Sequence, residues 1–198
     1  MPVTALPDNP GSARIGWSLI DFGGNQGGVL GGATQRVNRL GSRWRCEVTL
    51  PPMTPALARE WAAALASGRR NGVSWKVREP GTPAGFPGAV LVNGGGQAGF
   101  ALAVDGATPG HVVRQGKWLS IQTGGRRYLH QAASTVTLDG SGAGTLAIEP
   151  ALRAIPADNS PVGIAVPIIE GLLADVPNWV LDETRLVRGL TFAIEEAA

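Results

Sequence analysis

The side chains that could do chemistry are few and scattered. The chain has 198 residues, two histidines (His111 and His130) and one cysteine, Cys46. Two imidazoles cannot by themselves furnish an ordinary zinc site, and a lone cysteine excludes an intramolecular disulfide. Cys46 lies in the alternating run RWRCEVTL, where a small buried hydrophobe is the expected role. His130, two residues from Tyr128 in RYLHQ, reads as a structural or interface histidine. Paired carboxylates could cleave a glycoside. Asp105, Asp139 and Glu149 are the acids on offer, and each sits at the end of a β run or in a turn. The Asp139-Gly140-Ser141-Gly142 stretch looks superficially like a cation loop but lacks further carboxylates, so a hairpin turn is expected.

Glycine patterns suggest phosphate chemistry and then fail its requirements. Gly94, Gly96 and Gly99 have the G-x-G-x-x-G spacing, which binds a dinucleotide only where a helix opens. The sequence that follows, FALAVDG, alternates like a strand, so a hairpin turn is the reading. GGNQGGVLGG (23–32) lacks the Lys-Ser/Thr of a phosphate loop and reads as a mobile loop or an oligomer contact. No nucleophile elbow, zinc-protease helix or acidic calcium loop is present. The expectation is a protein that is not an enzyme, with no cofactor and no bound metal.

Binding chemistry has better candidates. Trp118 in KWLSI and Arg126, Arg127 and Tyr128 in the next β run are the candidate glycan or partner contacts. Arginine and aromatic side chains suit sugars and interfaces alike. Six tryptophans stand beside one tyrosine. Trp17, Trp44 and Trp61 match core faces, whereas Trp118 and Trp179 read as free to anchor an interface.

The elements that must position these residues are mostly β. Gly (29) and Pro (15) fall at turns between apolar runs, the pattern of a turn-dense β protein. Alternation marks strands at ARIGWSLIDF (13–22), with Ile15, Trp17 and Leu19 on one face, and at RWRCEVTL, with Trp44, Cys46, Val48 and Leu50 inward. One helix is predicted over 55–67: Thr54 as N-cap, Pro55 in the first turn, a Leu57–Trp61–Leu65 stripe, and Gly68 as the stop. Arg69, Arg70 and Asn71 would then lead into VSWKVR (73–78). EPGTPAGFPG (79–88) reads as a boundary. Seven short β runs at roughly ten-residue spacing follow it, as in a small sandwich or barrel. Residues 151–169 read as irregular, and 184–196 as a core strand with Leu186, Val187, Leu190, Phe192 and Ile194.

The fold class expected is mainly β with one short helix. Residues 1–85 and 159–198 make an outer β-domain from both ends of the chain, and 86–158 form an inserted β-sandwich or barrel. Net charge is only +2, but residues 1–80 hold ten Lys/Arg against five Asp/Glu, and residues 151–198 three against seven. That polarity suits fold-internal pairing or head-to-tail contact between copies. It does not suit nucleic acid, which calls for clustered cations. No stretch reaches the length of a membrane span, and the N-terminus lacks a secretory pattern. A reducing, cytoplasm-like compartment is therefore expected.

A dispersed pattern carries a family resemblance. It comprises Gly116-Lys117-Trp118-x-Ser120-Ile121, Gly125-Arg126-x-Tyr128-Leu129-His130, Val136-x-x-Asp139-x-x-Gly142, and Leu146-x-Ile148-x-Pro150-x-Leu152-Arg153. Upstream stand Arg43-x-Arg45, Leu50-Pro51-Pro52-Met53 and a helix bearing Trp61. Together, over about 40–153, these resemble distal-tail or tail-tip structural proteins of long-tailed (siphovirus-like) bacteriophages and prophages. The resemblance implies a virion protein made in the bacterial host cytoplasm. It implies a homo-oligomeric ring, commonly a hexamer, seated in the baseplate between the tail tube protein and the tip hub protein. It leaves a host-surface carbohydrate-binding module as an alternative and a tail-associated glycan hydrolase behind it. A tube or tail-completion protein falls in the same class.

Overall fold

A computed structural model describes residues 3–28, 31–81, 85–175, 178–181 and 186–197, without the side chains of Trp179 and Leu181. It is 48% strand and 9% helix, which is the mainly β class expected. In chain order the first elements are β1 (Thr4–Ala5), β2 (Arg14–Ile20), β3 (Gly24–Gln26), β4 (Gln35–Val37), β5 (Arg43–Thr49), helix α1 (Pro55–Asn71) and β6 (Val73–Lys76). The middle holds β7 (Gly88–Val92), β8 (Gly99–Ala107), β9 (Val112–Val113), β10 (Trp118–Thr123), β11 (Arg126–Ala132), β12 (Val136–Thr137), β13 (Gly144–Leu152) and β14 (Val162–Gly163). The last strands are β15 (Ile168–Leu173), β16 (Asn178–Leu181) and β17 (Val187–Glu196).

Strands from the two ends of the chain build one seven-stranded sheet, ordered β1-β6-β15-β17-β5-β2, with β16 also on β17. The middle of the chain builds a six-stranded sheet, ordered β14-β10-β11-β13-β8-β7. Its ends meet through the Leu91–Pro161 bridge, so this sheet is a nearly closed barrel. Each sheet has its own core. Cys46, Val48, Trp61, Leu65, Trp75 and Ile194 centre the first; Leu102, Val104, Leu119, Ile121, Leu146 and Ile148 centre the second. Burial pushes the Cys46 thiol far above the ordinary thiol range, so it stays protonated and inert.

The helix shows why its expected end was too early. Its buried stripe is Ala58, Trp61, Leu65 and Gly68, with Leu57 at the margin. Trp61 lies 5.7 Å from Phe192 across the core. Gly68 continues the helix, because its missing side chain makes room for the next strand. A Cβ there would stand 2.2 Å from Val73 Cγ1. Arg69, Arg70 and Asn71 therefore complete the last turn, and Gly72, at φ +79°, ends the helix. Thr54 holds the N-cap position, but its hydroxyl makes no capping bond.

Other expectations shift as well. Residues 151–169 are only partly irregular: β13 runs to Leu152 and β15 starts at Ile168. The runs HVVRQ and STVTLD shrink to the two-residue pair β9–β12. The Gly-rich stretch opens with β3, which pairs with β4 as a small hairpin.

Candidate functional site

The four candidate contact residues do not form one surface. Strand alternation divides them. In β11, Arg127 and Leu129 face the seven-stranded sheet, while Tyr128 and His130 turn to the other face, opposite Ile121 and Leu119. Trp118, paired with Gln131, falls on the Leu129 side and is 7% exposed. The expectation of a free Trp118 is therefore corrected. It packs 4.3 Å from Trp17 and 4.8 Å, edge to face, from Trp44. Three tryptophans from β2, β5 and β10 thus join the two sheets. The side chain of Trp179, the other expected anchor, lies outside the described residues.

Tyr128 and Arg127 are also engaged inside the molecule. The Arg153 guanidinium stacks 5.0 Å from the Tyr128 ring. Arg127 faces Glu170 at 3.7 Å. Arg126 stands exposed at the tip of the β10–β11 hairpin and has interactions of its own. His130 is fully enclosed. Its Nδ1 donates to the Pro150 carbonyl at 2.8 Å, which fixes the tautomer, and its Nε2 has no hydrogen-bond partner among the described residues. Burial, which penalises the charged ring, holds its pKa down at about 4.

Sequence reasoning missed what these contacts have in common. Three ion pairs bridge the sheet and the barrel, and all three point the same way. Glu79, in the segment after β6, pairs with Lys117 and accepts the Trp118 N–H at 2.9 Å. Glu196 of β17 pairs with Arg153 at 3.0 Å and also accepts the N–H groups of Leu129 (2.7 Å) and Trp44 (2.9 Å). Glu170 of β15 pairs with Arg127. The acid always comes from the outer sheet and the base from the barrel. Desolvation pushes the Glu170 and Glu196 carboxyls up, against the pull of the arginines beside them. The charge polarity of the chain did not signal these pairs; it shows instead in Arg43 with Glu195 and Arg45 with Asp175.

The motifs read as turns are turns. Gly94, Gly96 and Gly99 all have positive φ and join β7 to β8. Gln97 plugs that loop, donating to the Asn93, Gly94 and Ala103 carbonyls and accepting the Ala103 N–H. Asp139 accepts from Ser141 N, Ser141 Oγ and Ala143 N before β13. These bonds hold its carboxyl below the usual range. Among the described residues no group of three or more His, Cys, Asp or Glu is placed to hold a metal.

No protein-family model matches this chain, and no curated protein does.

Two features remain at the surface. The first is an apolar rim. Leu19, Phe22, Leu40 and Phe100 are all exposed. Leu19 and Phe100 line one crevice between β2, the β3–β4 hairpin and the barrel. Arg36 steadies that hairpin by pairing with Asp21, whose carboxyl is held low by the Gly23 N–H and by Arg36. The second is a groove of about 370 Å³ along β2, lined by Ala13, Ile15, Trp17, Arg78, Glu79 and Trp118. The crevice also carries Glu149, Asp21 and Ser42, whose hydroxyl donates to Asp21 at 3.0 Å.

Proposed function

We propose that this protein is a structural component of a long-tailed phage tail: a ring-forming distal-tail or tail-tip subunit, hexameric on the family pattern, seated between tail tube and tip hub. The observation that carries the reading is the junction. Three like-oriented ion pairs and a tryptophan trio couple the barrel to a sheet made from both chain ends. A subunit that transmits position from one neighbour to the next needs such coupling, because a hinge between two modules would let the ring deform. The apolar rim of Leu19, Phe22, Leu40 and Phe100 supplies contact area of the kind that subunits bury. The dispersed tail-protein pattern of 40–153 gives the biological setting.

Mass photometry with negative-stain imaging tests the reading, alone and with tail tube protein added. Closed rings of uniform size are expected in at least one of the two mixtures. A protein that stays monomeric in both, and whose deletion leaves phage tails intact, overturns it. Replacing Leu40 and Phe100 by Ser is expected to shift the population from rings to monomers without lowering the melting temperature, since both side chains are exposed.

A further inference from the structure

Strand β2 ends the seven-stranded sheet, and no strand among the described residues pairs with its outer side. An unpaired edge presents backbone N–H and C=O groups, a template for one more strand. Two other edges are blunted. β1 is two residues long and followed closely by Pro7. The barrel closes on itself at Leu91 and Pro161. β2 instead runs for seven residues in unbroken register with β5, from Arg14 opposite Thr49 to Ile20 opposite Arg43. It contains no proline and no bulge, the usual protections of an edge.

The flank of this edge is built to receive side chains. Ala13, Ile15 and Trp17 alternate along β2 onto the groove, with Trp118 beneath. A strand added beside β2 would set every second side chain there. The groove carries one cation, Arg78, and one anion, Glu79. The Glu79 carboxylate is already taken by Lys117 and by the Trp118 N–H. Arg78 is exposed and, like Arg14, has no ion-pair or hydrogen-bond partner among the described residues. A carboxylate on a bound segment would complement Arg78.

We propose that β2 and its groove form a strand-addition site for an extended segment of a partner polypeptide. That segment places apolar side chains over Ile15 and Trp17 and a carboxylate on Arg78. The inference goes beyond ring formation: it concerns the edge and the groove, and it is read on the chain without assembled tails.

The test selects a displayed library of random peptides of about nine residues, enough to span β2, against the full chain. Enriched peptides are expected to alternate apolar residues and to carry Asp or Glu. One of them, added to the protein, is expected to slow hydrogen exchange in β2. Methylating its alternate backbone nitrogens is expected to weaken it by about tenfold or more, as loss of paired main-chain hydrogen bonds should. Selection against Arg78→Glu, an exposed site that leaves the fold intact, is expected to yield Lys or Arg in place of the acid. No enrichment, enrichment without alternation, indifference to backbone methylation, or an acidic preference that survives Arg78→Glu each overturns the proposal. Chitohexaose or maltoheptaose binding that quenches wild-type fluorescence but not that of Trp17→Ala, with no peptide enriched, would replace the strand by a glycan. Rings that form while the library stays empty would sink this inference alone, and monomers that bind the peptides would sink the ring alone.

Discussion

His130 shows how a single buried side chain sets a pH dependence. The folded ring titrates at about 4, whereas an unfolded histidine takes its proton near 6.5. A folded pKa below the unfolded one means that the unfolded chain gains a proton first as pH falls. Stability is therefore full above about pH 6.5 and declines down to about pH 4, by about 3 kcal/mol in all. Urea unfolding at steps across this range should show the decline in the wild type, and His130→Gln should flatten it. The protonated state fails because Nδ1 already serves Pro150 and, among the described residues, nothing accepts a second N–H from Nε2. From the sequence, RYLHQ marked His130 as a structural or interface histidine. The depth of its burial depended on β13 and Pro150, 20 residues further along the chain.

Elements meet closely where glycine has been placed for contact rather than for a turn. Gly68 and Val73 bring α1 and β6 together, and Gly171 lets β15 lie against β17. A Cβ on Gly171 would stand 2.0 Å from the Glu195 carbonyl oxygen, which cannot swing aside as a side chain can. Gly171→Ala is expected to destabilise by about 2 kcal/mol or more, whereas Gly140→Ala, with open space around it, should change stability by less than about 0.5 kcal/mol. Chemical denaturation of the two variants checks the contrast. Gly68→Ala sets two effects against each other: a helix-propensity gain of about 1 kcal/mol and an overlap with Val73 at 2.2 Å. The overlap is expected to win. Paired with Val73→Ala, the loss should be smaller than the sum of the two single losses. The periodicity of Leu57, Trp61 and Leu65 made the helix visible in the sequence. Its end was not visible, since Gly68 looks like a stop until the position of Val73 is known.

At the scale of the whole molecule, the sheet-to-barrel junction concentrates buried charge. Lys117 and Glu79 are both nearly enclosed, as are Arg153 and Glu196. Removing one partner leaves a buried ion unpaired, so Lys117→Met or Arg153→Met is expected to cost about 3 kcal/mol or more. Glu79→Gln combined with Lys117→Met should recover much of the first loss, because two neutral groups need no counter-ion. Calorimetry of the wild type should give one transition for both modules, and the single variants should separate the barrel from the sheet.

Composition, turn residues and alternation determined by themselves that this chain is mainly β, that its helix lies between the β5 run and the β6 run, and that the Gly94–Gly99 and Asp139–Gly142 stretches are turns. These are local properties, set by backbone sterics and by which side chains can share a face. Trp118, Arg127 and Tyr128 mark the limit of that reading. Adjacent in a β run or across a hairpin, they resemble a single contact surface. Tertiary structure alone decided that alternation sends them to opposite faces, that Trp118 is sealed beneath Trp17 and Trp44, and that the acids of one module meet the bases of the other. It alone decided, too, that β2 ends its sheet. Burial, charge pairing and edge exposure depend on residues far apart in the chain, as Glu79 with Lys117 and Glu196 with Trp44, and no local pattern carries them.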